Sequence, residues 1–236
     1  MKICAIVQAR MSSRRLPGKV LKVLNGKSIL EYVLVRLKQS KNLTAIIVAT
    51  STDQSDEAVI KFCQARNIPC VQGPLDHVAN RFLKVLERFP MDAFVRVSGD
   101  SPVIDPQIVD RLVSIFKSGN YDIVTNVLER SFPKGQSVEI VNSSVFKKSF
   151  SNIKGQYEEE HVTPYFYQNA DRFRIFNLIS PNPVYGSVHM AIDNQKDLER
   201  FDLILQRINR PIEWCGLEEL VTIYNTIGAE VPCKQS

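Results

Sequence analysis

The chain has 236 residues, of which 44% are hydrophobic and 23% charged, with a formal net charge of +5. That length and balance fit one globular domain over residues 1–236 and exclude disordered and fibrous classes. No apolar run approaches the roughly 18 residues of a membrane-spanning helix, and Met1–Val7 is too short for a secretory segment. The five cysteines (Cys4, Cys63, Cys70, Cys215, Cys233) include no C-x-x-C pair, so neither a disulfide framework nor a zinc ribbon is expected. A reduced, cytoplasmic compartment with no membrane association follows as the expectation.

In chain order, Ile3–Val7 is apolar at every position, the mark of a strand buried on both faces. A polar loop follows, Asn25-Gly26 reads as a turn, and Ser28-x-x-Glu31 as a capping box opening a helix to Leu37. Ala45–Ala49 is a second buried strand, Glu57–Arg66 a helix and Cys70-Val71 a short strand. Asp76–Phe89 places Val78, Phe82, Val85, Leu86 and Phe89 on one helical face. Ala93–Val97 is a strand ending at Ser98-Gly99-Asp100, and Asp105-Pro106 supplies a cap and first helical residue for a helix closed by Gly119.

Further strands are expected at Tyr121–Thr125, Val138–Val141, Arg174–Leu178 and His189–Ile192, and helices at Glu158–Asn169, Lys196–Ile208 and Leu217–Thr226. Strand–helix alternation implies right-handed crossovers and a mostly parallel, doubly wound α/β sheet. Ligands of such sheets sit beyond the carboxyl ends of the strands, which singles out the residues after Val7, Ala49, Val97 and Ile192.

The segment after the first strand, Gln8-Ala9-Arg10-Met11-Ser12-Ser13-Arg14-Arg15-Leu16-Pro17-Gly18-Lys19, carries four cations and two hydroxyls. Arginine forks, a lysine and serine hydroxyls suit polyphosphate oxygens; a solvated basic loop is the alternative on composition, and the position after a buried first strand favours the functional reading. Gly26-Lys27-Ser28 is not a Walker A loop, because Leu21 stands where that motif needs glycine, and no G-x-G-x-x-G follows the strand.

The segment closely resembles the opening of the cytidylyltransferase family, which includes the Kdo and acylneuraminate cytidylyltransferases and their spore-coat polysaccharide relatives. The resemblance is strongest to the spore-coat branch. It continues through Val48-Ala49-Thr50, Asp76-His77-Val78-x-x-Arg81-Phe82, Arg96-x-x-Gly99-Asp100-x-Pro102-x-Ile104-Asp105 and Glu160-His161-Val162-Thr163-Pro164-Tyr165, and ends near Asp193-x-x-x-Asp197-Leu198. It implies a three-layer α/β/α fold of the nucleotide-diphospho-sugar transferase type, CTP as nucleotide, Mg2+ as metal, a sugar acceptor and a homodimer. Arg10, Ser13, Arg15 and Lys19 match family positions that hold the triphosphate, Gln8 and Ala9 are assigned to the nucleotide with them, and Arg14 has no constant counterpart.

Asp100 follows a buried strand and Asp193 ends a late one, so both carboxylates are expected at the ligand edge. Magnesium takes hard oxygen ligands, often one or two carboxylates with substrate phosphates. Each alone reads equally as a loop acid or cap; the resemblance assigns both to the metal. Asp105 and Asp197 read as caps, and Asp76 as the cap of the helix that carries Arg81. Arg81 is assigned to the nucleotide, and Glu139, Glu160 and His161 to the acceptor. Glu159 stands where relatives carry arginine. His77 and His189 lack metal-pair spacing.

The reaction implied is attack of a sugar hydroxyl on the α-phosphate of CTP, giving a CMP-sugar and pyrophosphate for surface polysaccharide synthesis. Arg10, Arg15, Lys19 and Asp100 carry it, and Arg81, Arg130 and Lys134 are the cations available to an acceptor carboxylate. A glycosyltransferase of the same broad fold is the alternative, but Gly99-Asp100-Ser101 is not the D-x-D of such enzymes. A nucleic-acid-binding module would interleave aromatics with cations across a broad face, whereas these cations cluster in one loop without an aromatic.

Overall fold

The computed structural model describes residues 1–230; Cys233 lies outside them. The first strand, β1 (Ile3–Gln8), is buried along nearly its whole length because it lies between two parallel neighbours. Those neighbours are β4 (Ala45–Ser51) and β6 (Ala93–Ser98). Between β1 and β4 come a small hairpin, β2 (Val23–Leu24) and β3 (Lys27–Ser28), turning at Asn25-Gly26, and then α1 (Ile29–Leu37). The Ser28 side chain accepts from the Glu31 N–H, as the sequence pattern requires.

Next are α2 (Glu57–Gln64), β5 (Cys70–Gly73) and α3 (Val78–Arg88) before β6, and α4 (Pro106–Ser118) after it. The second half contributes β7 (Ile123–Thr125), β8 (Glu139–Asn142), α5 (Ser143–Ser149), α6 (Gln156–His161), α7 (Pro164–Gln168), β9 (Ile175–Asn177), α8 (Gln195–Arg207) and α9 (Leu217–Glu230). The seven-stranded sheet has the order β5-β4-β1-β6-β8-β7-β9. Only β8 runs against its neighbours, so the sheet is mostly parallel.

Alternate residues of β1 enter different cores, as the two-residue period demands. Ile3, Ala5 and Val7 join the cluster built with α1, α2, α4, α8 and α9. Cys4 and Ile6 join the cluster built with α3, α5 and α7. Helices therefore cover both faces in three layers, which explains the unbroken apolar runs. No described helix is long and apolar enough to cross a membrane.

Several sequence expectations shift. His189–Ile192 is not a strand: only a single bridge joins Lys134 to His189. Its backbone groups are instead paired with the loop at residue 134 and, through the Ile192 N–H, with the Asp100 carbonyl at 2.8 Å. Gly135, at φ 97°, permits that approach, since a Cβ there would lie 2.9 Å from the Ala191 nitrogen.

The helix expected over Glu158–Asn169 is split at Val162, which has φ 71° and ψ −48°. The Thr163 N–H closes a γ-turn onto the His161 carbonyl at 2.8 Å, and Pro164 begins a second helix. A β-branched residue in that region is strained, and the complete burial of the Val162 side chain helps offset the strain. His77 rather than Asp76 caps α3, accepting from Asn80. Asp197 is the reciprocal member of a capping box led by Asn194. The short α5, capped by Asn142, has no counterpart in the sequence expectation.

One buried arginine joins the periphery of the sheet to its edge. Arg36, on α1, is fully buried and donates to the carbonyls of Ile104 at 2.6 Å, Cys215 at 3.0 Å and Ile212. Burial lowers its pKa, with the nearby Asp105 carboxylate acting in the opposite sense. Replacing Arg36 with methionine nearly keeps the volume but strips the Ile104 and Cys215 carbonyls of this donor, while the Ile212 carbonyl still accepts from the Cys215 N–H. The expected cost is about 3 kcal/mol or more, read as a lower urea midpoint at constant slope. A wild-type midpoint would show that these bonds are dispensable.

Candidate active site

The loop after β1 lies at the carboxyl edge of the sheet. The Ala9 N–H continues the parallel ladder onto the Ala49 carbonyl at 3.0 Å, and the chain then turns out over the strand ends. Gly99, just past β6, donates to the Gln8 carbonyl at 2.8 Å. A Cβ at Gly99 would stand 2.9 Å from that oxygen, so only glycine brings Asp100 alongside the loop. Gly18, at φ 70°, then turns the chain so that Lys19 points back into the cleft.

Lys19 is the centre of the arrangement, only 9% exposed. Its ammonium donates to Asp100 Oδ2 at 2.6 Å and to the Ile192 carbonyl at 2.7 Å, and lies 3.5 Å from Asp193 Oδ1. The Arg15 guanidinium pairs with the same Asp193 oxygen at 2.8 Å while its side chain stays largely exposed. Asp100 and Asp193, distant in sequence, thus converge on one cation. Two hard carboxylates that approach a single charge this closely fit a divalent ion as well as an ammonium.

His189 Nε2 lies 3.4 Å from Asp193 Oδ2 and 3.8 Å from Asp197 Oδ2. That Asp197 oxygen already accepts from the N–H groups of Asp193 and Asn194, so its work is to cap α8.

The cleft above these groups encloses about 850 Å³, and Gln8, Ala9, Arg10, Ser13, Arg15, Lys19, Arg81, Asp100, Glu160, His161 and Asp193 all line it. Arg14 and Arg130 line it as well, whereas Lys134 and Glu139 do not. Arg10 pairs with Glu160 at 2.6 Å across the mouth, both side chains about one-third exposed. Glu159, in turn, faces His77 at 3.7 Å. His161 has its pKa lowered, first by burial and then by the Arg96 cation, so its ring is neutral at pH 7.

Arg81 is 1% exposed and donates from Nη2 to the Leu75 carbonyl at 3.0 Å. Its Nε has no partner, and no carboxylate lies within 4 Å of it among the described residues. Burial, then the neighbouring Arg10 cation, lowers its pKa to about 10. The carboxylates of Asp56, Glu160 and Asp76 act in the opposite sense, but none forms an ion pair with it; a buried guanidinium with no ion pair is costly, and an anion in the cleft would relieve it.

Glu139 is buried beneath the cleft rather than facing it. Its carboxylate accepts from Arg96, from the Thr163 hydroxyl at 2.6 Å and from the Tyr167 hydroxyl at 2.6 Å. Antiparallel pairing sets Arg96 directly opposite Glu139, and Arg96 Nε also donates to Gln8 Oε1 at 3.1 Å. Arg96 is the member of this network that reaches the cleft wall. The sequence showed Arg96 within a longer motif, but a lone arginine on an apolar strand gave no sign of its burial partner.

Against known proteins, a family model described as cytidylyltransferase matches residues 4–226. An uncharacterized protein of Methanocaldococcus jannaschii, MJ1063, is 34% identical over 222 residues, 91% of this chain and 90% of that one. The spore coat polysaccharide biosynthesis protein SpsF of Bacillus subtilis is 29% identical, with 94% of each chain covered. Among solved structures, a cytidylyltransferase from Leptospira borgpetersenii superposes with a TM-score of 0.91 at 26% identity, covering 100% of this chain and 99% of that one. The overall fold, with its mostly parallel sheet, is shared with that structure, and the chain belongs to the cytidylyltransferase family.

Proposed function

We propose that the chain couples CTP to a hydroxyl of a sugar acid, forming a CMP-sugar and pyrophosphate for polysaccharide assembly. The observation that carries this reading is the Lys19 ammonium set between Asp100 and Asp193, with Arg15 on the second carboxylate. Phosphate-binding cations and metal-type carboxylates meet there at the mouth of one cleft. The resemblance to Kdo and acylneuraminate cytidylyltransferases supplies the acceptor class, and the polysaccharide role follows the printed name of SpsF.

In the reaction the acceptor oxygen bonds to the α-phosphorus as the bridge to the β-phosphate breaks, and the electron pair leaves with pyrophosphate. Arg10, Arg15 and Lys19 neutralise charge on the departing group, and Ser13 and the loop amides donate to its oxygens. Arg81 meets the nucleotide from the α3 side of the cleft. Asp100 and Asp193 would hold a magnesium ion, which supplies charge neutralisation and a more acidic acceptor hydroxyl. Glu160 and His161, with Arg96 and Arg130, line the acceptor side and orient the sugar.

Two measurements test this. With magnesium, each nucleoside triphosphate and a panel of sugar acids that includes 3-deoxy-manno-octulosonate, pyrophosphate is expected from CTP. Asp100→Ala is expected to lower that rate on the order of a hundredfold or more. Absence of pyrophosphate with CTP and every acceptor would count against the reaction, and an unimpaired Asp100→Ala enzyme against the metal assignment.

Arg81→Met removes a buried charge that has no ion-pair partner. The KM for CTP is expected to rise about tenfold, while the thermal midpoint does not fall, because the desolvated cation has gone. An unchanged KM for CTP would take Arg81 out of the nucleotide site.

A further inference from the structure

A buried carboxylate outside the cleft holds the loop in shape. Asp56 is 0% exposed and lies in the segment joining β4 to α2. It occupies the N-cap position of α2, yet its side chain makes no capping bond to that helix. Oδ1 instead accepts from the Met11 N–H at 2.6 Å, and Oδ2 accepts from the Ser51 N–H at 3.0 Å and from the Ser51 hydroxyl. A carboxylate withdrawn from water needs such donors, and three of them compensate its burial.

Met11 is the hub of the loop. Its carbonyl accepts from the N–H groups of Ser13 at 2.9 Å and Gly18 at 2.8 Å, so the segment from Arg10 to Lys19 folds around this one peptide. Arg10 and Ser12, its neighbours in sequence, both line the cleft. Among the described residues, Asp56 makes the only side-chain hydrogen bond to the Met11 backbone.

We propose that Asp56 is the positioning residue of the phosphate loop, fixing through Met11 the placement of Arg10, Ser13 and Lys19 before a triphosphate arrives. This rests on the reading of that loop as the triphosphate site. An asparagine at position 56 would set an amide donor against either the Met11 or the Ser51 donors, so the bond pattern cannot survive intact.

The test needs no acceptor. CTP affinity is measured by calorimetry for wild type, Asp56→Asn and a control, Val59→Ala, which removes a fully buried side chain from the core face of α2. Methyl-labelled methionine spectra are recorded in parallel; the four methionines (Met1, Met11, Met91, Met190) give a readily assigned set. Asp56→Asn is expected to weaken CTP on the order of tenfold and to move the Met11 methyl signal, with those of Met91 and Met190 unmoved. Val59→Ala is expected to lower stability while leaving CTP affinity within about twofold of wild type.

Wild-type CTP affinity and an unmoved Met11 signal in Asp56→Asn would overturn the proposal, as would equal losses of affinity in both variants. Should Asp56→Asn not fold, the wild-type Met11 amide decides: it is expected downfield and slow to exchange, and a fast-exchanging amide overturns the bond. If wild-type protein binds no CTP, the nucleotide reading fails, while the Met11 amide and methyl signals still judge the anchor.

Discussion

The lysine ammonium set between two carboxylates joins three parts of the chain at the mouth of the cleft. Lys19 comes from the loop after β1, Asp100 from the end of β6, and Asp193 with the Ile192 carbonyl from the segment before α8. The backbone reinforces the junction: Gly99 bonds to Gln8, and Ile192 bonds back to Asp100. Removing the positive charge would leave two acids facing each other in a partly buried cleft, where like charges repel strongly. This buried charge therefore adds to the strand pairing of β1 with β6 and to the apolar packing of Val20, Val97 and Ile192 in holding the loop, the sheet edge and the late segment together.

The other buried charges lie at similar junctions. Arg36 ties α1 to the chain around residues 104 and 215, Glu139 ties Arg96 to the α6–α7 turn, and Asp56 ties the β4–α2 connection to the loop. Each is satisfied by several directed bonds, the condition under which a desolvated charge is tolerable. Arg81 is the exception, and it faces the cleft.

The architecture was legible in the sequence where a single period dominates. Buried parallel strands read as apolar runs, α1 and α4 showed their caps, and α3 its apolar face. The basic loop was legible as well, because its four charges fall between positions 10 and 19 and its pattern is long. What escaped depends on contacts between distant positions. Glu139 reveals its role only once Arg96, Thr163 and Tyr167 are in place around it, and nothing in the sequence marks Asp56 as a partner of Met11. Two local misreadings had local causes. Val162 sits in a conformation that its side chain disfavours, so the expected continuous helix breaks there, and residues 189–192 have strand-like composition but pair with loops.

The reversed direction of β8 has a consequence for how such a protein can diversify. Strands β1, β4, β5 and β6 deliver their carboxyl ends to the cleft, whereas β8 delivers its amino end, at Glu139. The excursion between β7 and β8, which includes Arg130 and Gly135, therefore rises over the cleft and returns without entering the ladder of the first half. Within it Gly135 and the buried Gln136 are fixed by their contacts with residues 191, 103 and 105, so room for change is left to the exposed stretch at residues 128–130. A change there would alter the rim of the cleft without touching the register of β1, β4 and β6.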